Sequence, residues 1–394
     1  MNPRRSGSTS PALPKLSEIA DEAGLRRIHF LAWRDLEDPE AGGSELHAAE
    51  IARVWAEAGI EVNFRTSYAA GHPQVSWRDG YRVIRKAGRY LVFPRAALSE
   101  SMGWHGSRDG LVEIWNGMPF FSPLWAPGPR IVFLHHMHAE MWDMTLPPRL
   151  AKLGRTIESR IAPLVYRRSH IVTLSESSKR ELVEDLGFRA ERITVVPPGI
   201  DPRYSPGGKR SPDPLVVAVG RLVPVKQFPA LVDALVALKP RHPKLRAMII
   251  GEGYERESLE AYIDEAGASG WIRLTGRVDD AKLLSLYQQA WLVASTSARE
   301  GWGMTITEAA ACGTPAVVSN IAGHRDAVAH GRTGFLADTP EEMIAYMDSI
   351  LGDDAQRARM SAAALEHASR FTWEATARGA LEALATEARR LHRR

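Results

Sequence analysis

Short apolar runs alternate along the chain with longer stretches whose apolar residues recur at helical spacing. Such runs, bounded by polar or glycine residues, are typical of buried parallel strands, and the stretches between them are typical of amphipathic helices. Strands are predicted at 28–33, 60–64, 81–84, 111–115, 131–134, 171–175, 193–196, 215–220, 248–251, 272–276 and 291–294, and helices at 46–58, 149–169, 177–187 and 305–312. This alternation predicts an α/β protein built on open parallel sheets.

A proline- and glycine-rich segment divides the chain near its middle. The 394 residues are enough for two domains, and the segment from Pro197 to Pro214 has the composition of a linker. We predict five parts in chain order: a disordered tail over 1–24, an N-terminal domain over 25–200, a linker over 201–214, a C-terminal domain over 215–370 and a final helical segment over 371–394.

The most informative stretch lies between a predicted strand and a predicted helix. The apolar run 291–294 opens into a turn containing Gly301 and Gly303, and the helix 305–312 ends at Gly313, followed by a proline. Backbone N–H groups at a helix N-terminus lack partners and carry partial positive charge, so this turn can hold an anion. The two glycines let a ligand approach the backbone closely.

Two carboxylates, Glu300 and Glu308, stand eight positions apart across this turn. Because one belongs to the loop and the other to the first turns of the helix, both can face one crevice at different depths. That spacing favours holding two parts of one long ligand over sharing a proton. Taken alone, the pair also fits a solvated loop residue and an ordinary charge on a helix surface.

Two cations follow the first strand of the second domain. The run 215–220 delivers Arg221 to its carboxyl end, and Lys226 comes five positions later, before a helix. Facing the glycine turn, they would neutralise a diphosphate, with about 1.5–3 kcal/mol for each charge-assisted contact. By themselves they would be read as an ordinary surface arginine and lysine.

In the first domain, Gly42 and Gly43 precede the helix 46–58, for which Ser44 is a suitable N-cap. A tight turn is the simplest interpretation of this pair. The sequence does not match the GxGxxG pattern, so it does not indicate NAD binding.

Three histidines, His135, His136 and His138, cluster directly after the predicted strand at 131–134. Ligands of open α/β sheets sit at the carboxyl ends of strands, which makes these side chains site candidates. A metal site is the rival interpretation, but no cysteine is near and only Glu140 or Asp143 could add a loose carboxylate ligand.

The composition limits the partners. The hydrophobic content of 44% is ordinary for a globular protein, and the net charge of +3 offers no strong field for nucleic acid. A single cysteine, Cys312, excludes an internal disulfide and fits a reducing cytoplasm. No apolar run approaches the ~18 residues of a membrane span, and no signal peptide is expected. The basic ends of the chain, 1–10 and 389–394, allow weak contact with anionic lipid headgroups at the inner face of the membrane.

The motif Glu-x7-Glu with Gly-Trp-Gly after its first glutamate, followed by Ala-Ala-Ala-Cys-Gly-Thr-Pro-Ala-Val, resembles retaining, nucleotide-sugar-dependent glycosyltransferases of family 4. The Gly-Arg-Leu-x-x-x-Lys run at 220–226 is similar to that family's diphosphate-binding pattern, and Val-Pro-Pro-Gly-Ile-Asp at 196–201 to its linker entry. The resemblance implies the GT-B fold, in which two Rossmann-like domains face a central cleft and the final helix crosses back to the first domain.

The resemblance also implies roles for these positions. Glu300 meets the donor sugar and Glu308 the ribose, Arg221 and Lys226 bind the diphosphate, and Val278 holds the base through its backbone. The implied donor-binding set is Gly42, Gly43, Arg221, Lys226, Val278, Glu300, Gly301, Trp302, Gly303, Met304, Thr305 and Glu308, and the implied catalytic set is His135, His136, Arg221, Lys226 and Glu300.

Three points stay open or depart from the family's pattern. The family often places a histidine beside the donor sugar. Counting along the strand favours His135 or His136, and His138 is reached only if the loop folds back. Trp302 replaces the usual phenylalanine, and Gln227 replaces the glycine common after the lysine.

We therefore predict transfer of a sugar from a UDP- or GDP-sugar to an acceptor hydroxyl, with retention of configuration and with no metal or other cofactor. The acceptor class is a glycan, a glycolipid or a small metabolite, with Trp142 the aromatic residue singled out on the acceptor side. Two alternatives remain: an epimerase or hydrolase on the same fold, which would consume the donor without an acceptor, and a non-catalytic module that binds sugar nucleotides.

Overall fold

The computed structural model describes residues 14–138 and 141–393. Its first sheet has eight strands in the order β3-β4-β2-β1-β5-β6-β7-β8, all parallel except for the antiparallel pair β3 and β4. The strands are β1 (Arg27–Leu31), β2 (Glu61–Thr66), β3 (Val75–Arg78), β4 (Tyr81–Arg85), β5 (Gly110–Trp115), β6 (Arg130–Leu134), β7 (His170–Thr173) and β8 (Ile193–Val195).

Helices cover both faces of this sheet. They are α1 (Leu16–Ala23), α2 (Gly43–Glu57), α3 (Val92–Ser101), α4 (Met141–Thr145), α5 (Pro148–Thr156), α6 (Ala162–Tyr166) and α7 (Glu176–Glu184). The single helix predicted over 149–169 forms as α5 and α6, joined by one turn of π-helix at Ile157–Ile161.

Alternating residues of the central strands separate two cores. Phe30, Val112 and Phe133 pack with α2, whereas Leu111 lies under α3 and Val132 under α6. Because Val112 is aligned with Ile131 and Glu113 with Val132, Leu111 and Val132 point to the same face of the sheet. The helices α3 and α6 therefore share one side of the domain.

The second sheet has six parallel strands in the order β11-β10-β9-β12-β13-β14. These are β9 (Leu215–Val219), β10 (Arg246–Ile250), β11 (Ile272–Gly276), β12 (Leu292–Ser295), β13 (Ala316–Ser319) and β14 (Gly334–Ala337). The helices are α8 (Phe228–Leu238), α9 (Arg256–Glu265), α10 (Asp280–Gln289), α11 (Met304–Ala311), α12 (His324–Ala327), α13 (Pro340–Gly352), α14 (Asp354–Ala368) and α15 (Trp373–His392). The GT-B prediction, two parallel-sheet α/β domains, is confirmed.

The last helix, α15, returns to the first domain. It packs on α1, α2, β6 and β7, and the Trp55 indole donates a hydrogen bond to the Ala377 carbonyl at 2.9 Å. Its start lies beside the linker, where a Cβ on Gly199 would come within 2.3 Å of the Trp373 nitrogen. The two crossings between the domains thus run side by side, with no room for a side chain between them.

The predicted disorder of 1–24 is wrong where the structure describes that segment. Residues 1–13 lie outside the described residues, but Leu16–Ala23 forms α1. This helix buries Ile19, Ala20 and Ala23 against α15 and ends at Gly24, which adopts a left-handed conformation (φ +68°). Its apolar face has a partner only because the far end of the chain folds back onto it.

Two contacts between the domains border the cleft. The Asp326 carboxylate accepts hydrogen bonds from the backbone N–H groups of Glu176 and Ser177, so it caps α7 from the opposite domain. On the other side, the Arg277 guanidinium donates to the Pro39 carbonyl. These contacts bring the carboxyl edges of the two sheets face to face.

Candidate active site

The glycine turn between β12 and α11 has the geometry of an anion site. Gly303 precedes the helix with φ +94°, a conformation that costs other residues about 1 kcal/mol or more. Within the described residues, the N–H groups of Met304 and Thr305 have no hydrogen-bond acceptor. Gly323 packs against this turn so closely that a Cβ there would lie 2.7 Å from the Trp302 nitrogen.

The Glu300 carboxylate is fixed by two donors. The Lys226 ammonium and the Ser297 hydroxyl both donate to Oε1, the latter at 2.9 Å. Burial on its own raises the pKa of Glu300, but the Lys226 charge and then His324 outweigh that effect and hold the pKa at about 2. Glu300 is therefore ionised at any ordinary pH.

Arg221 stands beside this pair without a partner of its own. Among the described residues its exposed side chain makes no hydrogen bond or ion pair, yet its charge acts on His136, His138 and Arg34 across the cleft. An unpaired guanidinium facing a cleft is available for a phosphate oxygen. The predicted cation pair thus lies next to the glycine turn, with Lys226 already engaged by Glu300.

The backbone conformation of the turn after Lys226 accounts for the glycine that the family commonly has at position 227. Gln227 occupies the left-handed region with φ +48°, where a glycine carries no penalty. The Thr296 hydroxyl reaches the Lys226 and Gln227 carbonyls at 3.1 and 2.9 Å and secures the strained turn.

Glu308 has a different environment. The residue is 9% exposed, and its carboxylate accepts a hydrogen bond from the Tyr287 hydroxyl at 2.9 Å. Burial, with a smaller contribution from the Asp201 charge, raises the pKa of Glu308 to about 7, and the Tyr287 hydrogen bond and the Arg203 charge offset this only in part. Tyr204 packs on Tyr287, so the carboxylate lies in a largely aromatic recess.

The N-terminus of α2 approaches α11 from the other domain. A Cβ on Gly43 would lie 3.1 Å from the Met304 sulfur, and Gly42 donates its N–H to the Glu45 carboxylate at 2.9 Å. Two helix N-termini, each the positive end of a helix dipole, therefore converge on one point of the cleft. A negative charge between them would be stabilised from both domains.

The structure shows which of His135 and His136 faces the cleft, a choice that the sequence left open. The His135 ring is buried, with Nε2 3.2 Å from His47 Nδ1 and an edge-on contact to that ring, inside the first domain. Its predicted catalytic role is therefore corrected: the imidazole does not face the cleft, and only the carbonyl oxygen approaches, 2.9 Å from where a Cβ on Gly301 would stand.

His136 occupies the cleft instead. Its Nδ1 would lie 3.3 Å from a Cβ on Gly301, and its ring stacks on His138 with centroids 5.2 Å apart. Burial lowers the pKa of His136 to about 4, so the ring is neutral at neutral pH. Of the three histidines, this one is placed to contact a ligand held by the glycine turn.

His138 and Trp142 belong to the wall of the first domain. The Glu158 carboxylate accepts hydrogen bonds from the His138 N–H at 2.7 Å and from the Trp142 indole at 3.0 Å. Glu158 lies in the π-turn, and such turns are frequent at functional sites. The wall on which an acceptor would rest is thus tied to the helix pair α5 and α6.

One predicted donor-binding side chain is not exposed to the cleft. Trp302 is 3% exposed and packs edge-on against Phe371, so its ring belongs to the core and only its backbone belongs to the turn. Val278 packs half-buried beside Tyr287 in the loop after β11. Thr305 lies with Met304 in the first turn of α11.

Two cavities differ in their relation to this site. A cavity of about 180 Å³ adjoins Glu300 and Arg299 at the domain boundary. A larger one, about 420 Å³, lies at the opposite edge of the first sheet, beside Arg130 and α15.

Between 14 and 138 and between 141 and 393, no group of three histidine, cysteine or carboxylate side chains is arranged to hold a metal ion. Glu140, named above as a loose ligand, lies outside these residues.

Known proteins are similar to this chain along most of its length. Residues 41–204 match the family model "Glycosyltransferase Family 4", and residues 205–367 match "Glycosyl transferases group 1". The D-inositol 3-phosphate glycosyltransferase of Nocardia farcinica is 32% identical over 87% of this chain and 84% of its own length. The chain belongs to glycosyltransferase family 4. The corresponding protein of Thermobispora bispora is 28% identical over 90% of this chain and 92% of its own.

Solved structures of other glycosyltransferases share the fold of this family member. Sucrose-phosphate synthase from Thermosynechococcus elongatus has a TM-score of 0.75 at 18% identity, over 93% of this chain and 98% of that one. Anabaena Alr3699/HepE, solved in complex with UDP-glucose, has a TM-score of 0.70 at 20% identity, over 93% and 100%. No helix in the described part of this glycosyltransferase is both long and apolar enough to cross a bilayer.

Sequence reasoning missed several residues that build the transferase's cleft. Ser297 and Tyr287 hold the two motif carboxylates, and Gly323 and His324 back the glycine turn. Ser297 could have been found from its place three residues before Glu300. The others come from separate elements, so no local spacing indicates them.

Proposed function

We propose that this glycosyltransferase moves a hexosyl group from a nucleoside-diphosphate sugar to an acceptor hydroxyl, with retention at the anomeric carbon and without a metal ion. The observation that carries the proposal is the convergence of unpaired Arg221, Lys226 and the N-termini of α2 and α11 on one point beside Glu300. Positive charge and N–H groups concentrated there suit a diphosphate.

UDP is the nucleotide we propose to test first, with GDP second. HepE, a structural neighbour, was solved with UDP-glucose. In this proposal Glu308 accepts the ribose hydroxyls, Val278 lies beside the base, and Glu300 and His136 meet the sugar. The aromatic recess around Glu308 excludes water from that contact, which strengthens it.

The acceptor lies against the first domain, near Gly43, His138 and Trp142. Several relatives are named D-inositol 3-phosphate glycosyltransferases, so an inositol phosphate is the first acceptor to examine. Arg34 adds a cation to this wall. It is 7% exposed, and its Nε atom has no hydrogen-bond partner among the described residues.

Departure of the diphosphate is the difficult step. The bond between the anomeric carbon and the phosphate oxygen breaks, and the acceptor oxygen bonds to that carbon from the same face. The acceptor proton passes to the departing phosphate. Arg221, Lys226 and the two helix N-termini stabilise the developing charge, and such preorganised donors are worth about 3–4 kcal/mol each when removed. Because Lys226 and Ser297 fix the Glu300 carboxylate through Oε1, this proposal gives Glu300 the role of positioning the sugar.

The test is an activity assay with UDP- and GDP-hexoses, inositol phosphate and simple glycan acceptors, with and without a chelator. We expect a glycosylated product whose anomeric proton has the donor's configuration by NMR, at the same rate in chelator. An inverted product would refute the retaining mechanism. Donor consumed equally fast without any acceptor would instead favour the hydrolase or epimerase.

A further inference from the structure

The outer face of the helix pair α5 and α6 is basic. The segment 148–168 carries six basic side chains, and its one acidic residue, Glu158, is buried and bonded to the cleft wall. The basic residues are Arg149, Lys152, Arg155, Arg160, Arg167 and Arg168, all exposed. Only Arg155 has a described acidic partner, Asp143. The whole chain is nearly neutral, with 50 basic and 47 acidic residues, so this face is a local concentration of charge.

Large aliphatic side chains stand between these cations. Leu150 and Leu153 are 52% and 53% exposed, Ile161 is 44% and Leu164 is 69%. The inward side of the same helices is small or aromatic and well packed, with Ala151, Ala162 and Tyr166 fully buried. The exposed leucines are therefore not needed for the core, and they form a second apolar face that the protein leaves uncovered.

The same side of the domain carries more exposed apolar residues. Helix α3 shares this side with α6, and around it Tyr90, Leu91 and Met102 are 80%, 66% and 62% exposed. Of the fifteen large apolar side chains that are exposed in the described residues, fourteen belong to the first domain and one, Tyr254, to the second. Large exposed apolar side chains are therefore concentrated in the first domain, and part of them lie on the side that carries the basic face.

At its far end the basic face reaches the larger cavity. Arg168, the last cation of the face, lines this space of about 420 Å³ together with Arg130 and the exposed Leu124. Arg390 also lines it but is paired there with Glu387. The Nε atom of Arg130 is buried there without a hydrogen-bond partner among the described residues. Guanidinium groups around a recess beside an exposed leucine match the phosphate and upper chain of a phospholipid.

We propose that the face formed by residues 149–168 docks this glycosyltransferase on a membrane rich in anionic phospholipid. Helices that lie in the bilayer interface typically carry arginine and lysine side chains beside exposed leucines. Nucleic acid fits less well, because single strands are gripped by exposed aromatic rings and this face has none. The proposal rests on the surface alone and does not depend on the donor or acceptor proposed above.

Docking there would bring the lipid surface close to the cleft. The inner side of α5 holds Trp142, whose ring would lie 2.6 Å from a Cβ on Gly154, and Trp142 in turn adjoins His138. The helix pair is therefore a single layer between the interface and the acceptor wall. Of the two basic chain ends predicted to contact lipid, residues 1–10 lie outside the described residues, whereas Arg389 and Arg390 belong to α15 and have acidic partners.

The test is co-sedimentation of the full chain with phosphatidylcholine vesicles, with and without phosphatidylglycerol. We expect binding only to the anionic vesicles, and a loss of more than about tenfold in the variant Arg149→Glu, Lys152→Glu, Arg160→Glu. The matched control reverses three exposed cations elsewhere: Arg189→Glu, Lys209→Glu, Lys244→Glu. The control should bind as wild type does, and all three proteins should melt at similar temperatures, because every altered side chain is exposed.

The variant Leu150→Ser, Leu164→Ser tests the aliphatic part. It should bind anionic vesicles at low salt but lose that binding at a salt concentration where wild type still sediments, because only the screened contacts would remain. Equal loss in the charge variant and its control would overturn the proposal. So would wild-type binding to a single-stranded RNA oligonucleotide but not to vesicles, since the face would then serve nucleic acid.

Discussion

The two motif carboxylates, eight residues apart on one turn and helix, have opposite electrostatic environments. Glu300 is bonded to the Lys226 ammonium and the Ser297 hydroxyl, which hold its pKa at about 2. Glu308 accepts a hydrogen bond from the Tyr287 hydroxyl but has no ion pair among the described residues, and burial raises its pKa to about 7. The first is a permanent charge, whereas the second changes protonation near neutral pH.

The difference between the two environments suits two different functions for the two carboxylates of one motif. A carboxylate that must face a developing positive charge at the sugar benefits from staying ionised. A carboxylate that accepts ribose hydroxyls is needed as an anion only when the nucleotide is present, and the free protein can keep it neutral and avoid burying a charge. The different surroundings are consistent with the roles proposed for the two carboxylates, and the predictions below test that proposal.

The largest effect is expected from removing the Lys226 charge. Lys226→Ala should lower kcat/KM by about 10²–10³-fold, because the departing diphosphate loses a cation and Glu300 loses its counter-charge. Lys209→Ala, an exposed lysine in the linker, is the control and should leave the rate unchanged. A Lys226→Ala enzyme with wild-type kcat/KM would remove Lys226 from the site.

Nucleotide affinity should depend on pH through Glu308. Because its pKa in the free protein is about 7, donor binding should strengthen as pH rises from about 6 to about 8 and should release protons. Glu308→Gln should bind more weakly and lose that pH dependence. Calorimetry in buffers of different ionisation enthalpy measures both, and a pH-independent wild-type affinity would contradict the assignment.

Stability should respond to the two carboxylates with opposite sign. The pKa of Glu308 is higher in the folded than in the unfolded protein, so the folded state loses stability as pH rises from about 4.5 to about 7. Glu308→Gln should therefore raise the free energy of unfolding by up to ~3 kcal/mol at about pH 8 and change it little at about pH 4. The folded pKa of Glu300 lies below its unfolded value, so its contribution is present above about pH 4.5 and is lost towards pH ~2.

Glu300→Gln should therefore destabilise the protein at about pH 8, where Glu308→Gln stabilises it. Chemical unfolding of both variants at two pH values measures the contrast. Changes of the same sign in the two variants would show that the environments do not differ as described.

The smallest effect belongs to the turn beside Glu300. Gln227→Gly should stabilise the protein by about 0.5–1 kcal/mol, because a left-handed residue is replaced by one without that strain. Gln227→Ala, which keeps a Cβ in the same conformation, is the control. An equal melting temperature in the glycine and alanine variants would mean that the backbone strain is not what limits this turn.

Local patterns were sufficient for much of the fold. The two sheets, the turn between β12 and α11 and the helix over 149–169 follow from apolar spacing and from glycine and proline positions. The helix α1 was missed because its buried face meets α15, more than 300 residues away in the chain. Strands β3, β13 and β14 have only four residues each and were not predicted as strands.

The candidate site was predicted in its parts but not in its electrostatics. The sequence named Glu300, Glu308, Arg221 and Lys226 as candidates, whereas the pairing of Lys226 with Glu300 joins residues 74 positions apart and was not predicted. The orientation of the histidines depended on His47, which packs against His135 from α2 and leaves His136 to the cleft. Such contacts are created by the fold, and no spacing within the motif reveals them.

The central claim is that a nucleoside diphosphate binds between Glu308 and the pair Arg221 and Lys226. The most direct test is a thermal-shift titration of UDP, GDP and ADP against wild type, Glu308→Gln and Lys226→Ala, with and without magnesium. We predict that one nucleotide stabilises wild type regardless of magnesium and stabilises both variants much less. Failure of all three nucleotides to stabilise wild type, or equal stabilisation of wild type and both variants, would contradict the claim.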